Sequence, residues 1–318
     1  MGDAPFLARI AFPERPLFAD HAETLGTSED RAAWLSRRRL GFGASQAAAI
    51  VGKDPTRGPL AVYAEHVGAE MPDISERPEI RLGLAVEGAV IGLYSEQTGR
   101  PVAPNRGVHL RSRVEPLMLA TLDATTEIER VVVPLEIKTT AVWRSDDWEN
   151  GAPPRPWWQA QAQCFVTGAR RASVAALIWP RVVWCDVERD DAAIGHLLRC
   201  ARELWARIEN RDPPPPDMTG STRDALRALY PADDGSTVVL PGALIEISDR
   251  LDVAKAARRE LEKQIERDEA EIKAALGTAT LGILPDRSSW SWKQQHTRES
   301  VRAASTSRVL RRHAAKGL

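Results

Sequence analysis

Leu122-Asp123-Ala124 and, a short way downstream, Pro134-Leu135-Glu136-Ile137-Lys138-Thr139-Thr140 are the stretches around which this chain is organised. Asp123 closes one apolar run, Pro116 to Leu122, and Glu136 and Lys138 close a second, Val131 to Leu135, with a short polar connection between them. The pattern reads as two strands charged at their ends. Side chains alternate faces along a strand, so Glu136 and Lys138 point one way while Leu135 and Ile137 point into the core. Two carboxylates and an amine are thereby expected to meet at one sheet edge. Taken alone, Asp followed thirteen positions later by Glu-x-Lys is a loose pattern, because charged residues end many strands.

The flanking sequence supplies a frame. Arg81 to Thr98 reads as a long helix stopped by Gly99. Within it Glu87 has Gly83, Leu84, Val90, Ile91 and Tyr94 at helical spacing, so a carboxylate projects from an otherwise apolar face. Strands are expected at Gly107–Arg111, Pro116–Asp123, Glu127–Thr139, Ala172–Trp179 and Val182–Val187. Between the third and fourth lies a helix, Pro154–Thr167, containing Gln159, Gln161 and Gln163 and ended by Gly168. Another helix covers Asp190 to about Glu209. Helices, three strands, a helix and two strands predict an α/β (α+β) sandwich with a mixed central sheet flanked by helices.

Upstream, residues 1 to 28 carry scattered prolines and no period, and read as an irregular arm. A helix is expected from Ser28 through Trp34 into Arg39, broken by the glycines of Leu40-Gly-Phe-Gly-Ala44. Ser45 reads as the N-cap of the next helix, Gln46–Val51, whose free N–H groups favour an anion such as a phosphate, with Arg38 nearby. Pro59–Val67 is a further helix.

Downstream, Arg211-Asp-Pro-Pro-Pro-Pro-Asp217 is a stiff polyproline element and marks a domain boundary. The expected division is an arm at 1–28, a catalytic-type domain at 29–211, a Pro-rich linker at 212–221 and a helical extension at 222–318. In that extension Ile247, Leu251, Ala254, Leu261, Ile265, Ile272 and Ala275 follow alternating steps of four and three, interrupted at Arg258 and Asp268. Such a seam suits a coiled-coil-like hairpin or interface, or an amphipathic helix lying on its own domain. Thr278–Lys293 alternates like a small hairpin with Trp290 and Trp292 on one face, and the tail from Arg298 to Lys316 is basic, either solvated or touching DNA.

Composition narrows the classes. Forty-three Lys and Arg against 44 Asp and Glu leave a net charge of −1, so a nucleic-acid partner has to be recognised by local patches. The three cysteines, Cys164, Cys185 and Cys200, form no close pair, which argues against a zinc knuckle, an iron–sulfur cluster or a secreted disulfide scaffold. No apolar run reaches membrane-spanning length, and Met1-Gly2 is not followed by Ser or Thr at position 6. A cytoplasmic protein with no membrane partner is the expectation.

Paired carboxylates beside a lysine suit metal-dependent phosphodiester cleavage, in which one or two hard cations activate water and stabilise charge on the phosphoryl oxygens. In this reading Asp123 and Glu136 ligate Mg²⁺ or Mn²⁺, the Ile137 backbone carbonyl adds an oxygen, Glu87 supplies a carboxylate from the helical layer, and Lys138 orients the attacking water.

Four ordered blocks between Arg31 and Gly168 carry a resemblance: Trp34-x3-Arg38-x6-Ser45; Gly83-x3-Glu87 with Tyr94-x3-Thr98-Gly99; Asp123 with Glu136-x-Lys138; and Gln159-x-Gln161-x-Gln163 with Thr167-Gly168. In them the chain resembles the lambda-exonuclease family and its YqaJ-like viral recombinase relatives, within the PD-(D/E)XK nuclease superfamily. Ser291-Trp292-Lys293 is similar to extensions on phage-related members. The resemblance implies metal-binding acids at Glu87, Asp123 and Glu136, a catalytic lysine at Lys138, a glutamine beside the active site at Gln159, and a 5′-phosphate pocket at Arg38, Ser45 and Thr121. It further implies a phage-type 5′→3′ exonuclease that resects linear duplex DNA for recombination in a bacterial host cell, as a homo-oligomer and with a phage single-strand annealing protein as partner. An endonuclease of the same fold, and a non-catalytic DNA-binding or assembly protein working through its C-terminal helices, are the alternatives. Leu122 and Ala124 replace the Pro and Gly that flank the acid in many members, and Gln46 stands where many carry an acid.

Overall fold

The computed structural model describes residues 18–27, 36–105, 107–140, 146–296 and 312. The expected start of the first helix at Ser28–Trp34 and all of the basic tail from Arg298 except Arg312 lie outside them. The chain divides into two compact units, Met1–Pro231 and Ala232–Leu318.

The first unit is built on two mixed sheets. The larger has the order β3 (Val102–Pro104), β6 (Ala124–Ile128), β7 (Val131–Thr140), β8 (Arg171–Ile178), β9 (Arg181–Glu188). All of its pairings are antiparallel except β7 with β8. Parallel neighbours need a crossover, and α4 (Pro154–Thr167) provides it. Alternation along β7 then decides the layering. Leu135 and Ile137 pack with Val90 and Tyr94 of α3 (Pro78–Thr98) on one face. On the other face Ala160 and Cys164 of α4 pack on Ala172 and Val174 of β8. The sheet is therefore covered on both sides, as a strand run with few polar residues requires.

The smaller sheet has the order β1 (Ala22–Gly26), β4 (His109–Ser112), β5 (Met118–Thr121), β2 (Phe42–Gly43). Phe42, Met118, Ala120 and Leu122 form its core with α1 (Ala47–Ile50), with Ala162 and Val166 of α4, and with Leu197, Ala201 and Leu204 of α5 (Asp191–Glu209). Helix α4 thus packs on both sheets, which accounts for the burial of ten of its fourteen residues. Beyond α5, the prolines lead to α6 (Ser221–Leu229), which buries Ala225 against Leu60, Ala61 and Ala64 of α2 (Pro59–His66).

Four sequence expectations change. β7 is the middle strand of five, so Glu136 and Lys138 sit inside the sheet and not at its edge. The single strand expected over Glu127–Thr139 is two, β6 and β7, turning at Glu129 and Arg130 with φ of 53° and 65°. Two successive positive φ values fit the twist of a tight hairpin, but with neither Gly nor Asn there the sequence does not announce it. Ser45 lies inside a 3₁₀ turn, Ala44–Gln46, whose N-cap is Gly43, and the Gly43 N–H donates to Gln46 Oε1 at 3.0 Å. A glutamine side chain, reaching back, does the capping assigned to the serine. Finally, Ala22–Gly26, within the stretch read as an arm, pairs with β4.

In the second unit, α7 (Leu244–Leu276) is a single 33-residue helix followed by the hairpin β10 (Leu281–Ile283) and β11 (Ser289–Ser291), as the Thr278–Lys293 alternation predicts.

The pin between α3 and the larger sheet is polar. Tyr94, fully buried, donates from Oη to Ser173 Oγ at 3.0 Å and accepts from Arg100 Nη1 at 3.0 Å, while Arg100 makes a two-pronged pair with Asp186 at 2.8 Å. Tyr94→Phe leaves Ser173 without that donor in a dry layer. Denaturant unfolding is expected to show a loss of about 1–3 kcal/mol at unchanged m value.

Candidate active site

Asp123 lies in the two-residue step, Leu122-Asp123, where the chain leaves the smaller sheet at Thr121 and enters the larger at Ala124. Asn105 N–H fixes its backbone carbonyl at 3.0 Å, and Asp123 Oδ2 accepts the Ile137 N–H at 2.8 Å. That bond clips the crossing point to the C-terminal half of β7. One position to either side of Ile137, the same strand offers Glu136 and Lys138.

Glu136 is 2% exposed. Its Oε1 takes the Lys138 ammonium, and its Oε2 accepts Gln163 Nε2 of α4 at 2.5 Å. Gln163 is thus a site residue that sequence reasoning placed in a motif but gave no role. The signal was present: Gln159 and Gln163 are four apart and share one face of α4, and that face packs on β7. Gln161 points elsewhere, donating to Glu188 O and accepting Asp190 N–H, both at 2.8 Å.

Glu87, Asp123, Glu136, Ile137 and Lys138 line one cleft of about 720 Å³, together with Asp54, Trp148 and Arg155. Asp54 is a second residue not singled out in the sequence. It is buried, accepts from Thr56 N and Oγ1 at 2.8 and 2.7 Å and from Arg57 N at 3.2 Å, and faces Arg155 Nε at 3.5 Å. Its signal was an Asp-Pro-Thr turn after Gly52. Gln159 is buried on α4 but is not among the residues lining the cleft. Of the tryptophans, Trp148 lines the cleft wall, whereas Trp157 and Trp158 stack edge to face at 5.1 Å and pack into the interior.

The carboxylates crowd one another. Burial first, and then the neighbouring Glu136 charge, push Asp123 well above the usual carboxylate range, with Lys138 and the Ile137 N–H pulling the other way. Burial and Glu136 push Glu87 up in the same manner. Three carboxylates and a main-chain carbonyl are the hard oxygen donors that Mg²⁺ or Mn²⁺ takes, and crowded negative charge is what such an ion relieves, so the donor set fits. Among the described residues, no three His, Cys, Asp or Glu side chains close into a metal nest as they stand; Lys138, Gln163 and the Ile137 N–H already hold oxygens of Glu136 and Asp123.

Arg38, Ser45 and Thr121 are not among the cleft-lining residues. They lie around the smaller sheet. Arg38 is held below its usual pKa by burial, countered by Glu65 and lowered further by Arg57. Glu65 in turn pairs with Arg57 at 2.5 Å and accepts Gln46 Nε2 at 3.3 Å. Ser45, next to Gln46, is exposed. Thr121 stands directly across from His109 in the β4–β5 ladder, and His109 feels both Arg37 and Arg38.

The fold and cleft define a class: a mixed α/β domain, helices on both faces of the larger sheet, with acids and a lysine gathered on one strand and its neighbours. Residues 33–170 match the model of the YqaJ-like viral recombinase domain. The protein YqaJ of Bacillus subtilis (strain 168), itself uncharacterized, is 26% identical over 271 residues, covering 83% of this chain and 84% of the relative. Among solved structures, the chain is similar to an alkaline exonuclease (LHK-Exo) from Laribacter hongkongensis, at 20% identity and a TM-score of 0.48 over 57% of this chain and 94% of that one. It is similar also to a phage related exonuclease from Haemophilus somnus 129PT, at 11% identity and a TM-score of 0.43 over 56% and 97%.

Two outcomes follow from the electrostatics. Asp123 binds its proton more readily folded than unfolded, so the folded state is penalised as pH rises above 3.8. Asp123→Asn keeps an oxygen for the Ile137 N–H and removes that penalty. In metal-free buffer at neutral pH it is expected to raise stability by about 1–2 kcal/mol, roughly 2–6 °C in a thermal melt. His109 is the second case: burial, then Arg37 and Arg38, depress its imidazole from 6.5 to about 4. The unfolded chain takes up this proton first, so stability is full above pH 6.5 and falls as pH drops toward 4. His109→Asn is expected to flatten that part of the stability–pH curve by about 1–3 kcal/mol across the window, measured by urea titration at stepped pH.

Proposed function

We propose that the protein is a nuclease that hydrolyses phosphodiester bonds of DNA with Mg²⁺ or Mn²⁺, and that it resects linear duplex DNA from 5′ ends for recombination. The observation that supports it is the convergence of Glu87, Asp123, Glu136 and Lys138 on one cleft, inside the stretch that matches the viral recombinase domain. Any one of these residues at a strand or helix surface is unremarked. Four brought to one cavity from a helix, a strand and the crossing between two sheets support a reaction centre.

Glu87, Asp123, Glu136 and the Ile137 carbonyl would hold one or two ions, which when bound supply positive charge against the scissile phosphate and acidify water. The rest of the chemistry belongs to the chain. Lys138, tethered on Glu136, positions the attacking water, takes part in its deprotonation and offsets phosphate charge. Gln163 keeps the Glu136 carboxylate from rotating, and Gln159 sits on the same helical face. The 5′-phosphate falls to the Arg38, Ser45 and Thr121 group, where a planar guanidinium suits a two-pronged grip on phosphate. The setting of this reaction is the cytoplasm of a bacterial host cell, with a phage single-strand annealing protein receiving the exposed strand.

The test is digestion of 5′-phosphorylated linear duplex beside a closed circular control, in Mg²⁺ and in Mn²⁺. Linear DNA is expected to shorten while the circle survives, and Glu136→Ala or Lys138→Ala to lower the rate by at least about a hundredfold. Equal cutting of both substrates turns the reading to an endonuclease of the same fold. Salt-dependent DNA binding without turnover in either metal turns it to a binding or assembly protein.

A further inference from the structure

Helix α7 buries none of its 33 residues, although a helix of this length extends about 50 Å. Its apolar residues are far from random. Leu244, Ile247, Leu251, Ala254, Leu261, Ile265, Ile272 and Ala275 recur at steps of three and four, the a and d positions of a heptad, and most of the larger ones are exposed. Arg258 occupies one a position and Asp268 one d position. Two charges in an apolar seam are costly unless they meet opposite partners.

We infer that α7 is one half of an antiparallel two-stranded coiled coil whose other half is α7 of a second copy of this chain, in the register centred between Gln264 and Glu262. In antiparallel coils an a residue of one helix layers against a d residue of the other. Placing Arg258 against Asp268 of the second copy pairs both charges twice by symmetry. The same register layers Leu261 on Ile265, Ala254 on Ile272 and Leu251 on Ala275, so every apolar seam residue in the overlap meets an apolar one. At the flanks it sets Lys255 opposite Glu269 on both sides, with one unfavourable Glu262–Glu262 contact at the centre.

Local contacts leave the seam open. Arg312 pairs with Asp249 and Asp252 at 2.8 and 2.7 Å, both on the face away from it. Among the described residues, Arg258 and Asp268 are engaged within the helix, by Glu262 at 3.3 Å and Gln264 at 2.7 Å, exposed contacts of little net value that a second helix can replace. At the C-terminal end, Ile272, Leu276, Trp290 and Trp292 line a small groove of about 160 Å³, where Leu251 and Ile247 of the second copy arrive.

The experiment measures the mass of the full-length chain in solution over a concentration series for wild type, R258D, D268R and the double swap R258D/D268R. Wild type and the double swap are expected to dimerise equally. Each single variant is expected to dimerise at least about a hundredfold more weakly, because like charges then meet in two layers, and an equimolar mixture of the two single variants to recover the dimer. Circular dichroism of each variant reads helix content, and Leu261→Ala, which carries no charge, weakens the dimer by the same seam. A wild type that stays monomeric, single variants that assemble like wild type, or a double swap no better than the singles overturns the inference. The last pattern, with only the mixture associating, is the signature of a parallel pair.

Discussion

A carboxylate with almost no contact with water, Glu136, is the constraint from which the first unit is best understood. Ionised and alone at that depth it would cost several kcal/mol. It is tolerated because an ammonium comes from two residues along its own strand and an amide donor from the helix laid across it. The amide requirement reaches far. Gln163 can meet Glu136 only if α4 crosses from β7 to β8 on this face, and α4 is buried there because both sheets pack against it. The glutamine that satisfies the acid and the alanines and valine that hold the helix down are turns of one element.

Asp123 is placed by a different device. No regular element contains it. It lies at the step between two sheets, a position that usually tolerates variation, and the Ile137 N–H bond makes that step rigid. The result is a set of acids from a sheet crossing, a middle strand and a covering helix, each with an independent reason to be where it is. Their mutual repulsion is part of the design: the elements that gather them are stabilised by packing elsewhere, at Leu135, Tyr94 and Leu122, so the crowding persists. A divalent ion is the natural relief, and in the proposed reaction it is the same charge deficit that draws the ion in.

The elements whose patterns carry one period were legible in the sequence. Pro154–Thr167 is bounded by a proline and a glycine, and its ends fall where the sequence places them. Strands β8 and β9 and helix α5 match to within a residue. What was not legible depends on partners distant in sequence. Nothing in Leu122-Asp123-Ala124 says that the chain changes sheets there, and a continuous apolar run from Val131 cannot reveal that its strand is central. The Glu129-Arg130 turn lacks the residues that favour its geometry, and Ala22–Gly26 is a strand only because β4 has an open edge beside it. Within the site, the acids and the lysine were visible as types at spacings. Gln163 and Asp54 carried only local signals, a helical spacing and a turn, because the partners that give them a place in the site, Glu136 and Arg155, are brought near only by folding.

The seam of α7 shows how a charged residue can specify more than it stabilises. Replacing Arg258 and Asp268 by leucine would give a more hydrophobic stripe, and a less selective one. Slide the antiparallel pair by one heptad and Arg258 faces Ala275 or Leu261, Asp268 faces Ile265 or Leu251, and four charges are buried unpaired. Turn the pair parallel and arginine meets arginine, aspartate meets aspartate. Only one arrangement satisfies both, and it is the one in which the apolar layers also close. Polar residues at seam positions are known to fix register at a cost in stability, and here the cost is small because each charge has a partner supplied by symmetry. A helix with no buried residue of its own is otherwise hard to reconcile with 33 residues of unbroken helical structure, since an isolated helix gains its stability from the face it buries.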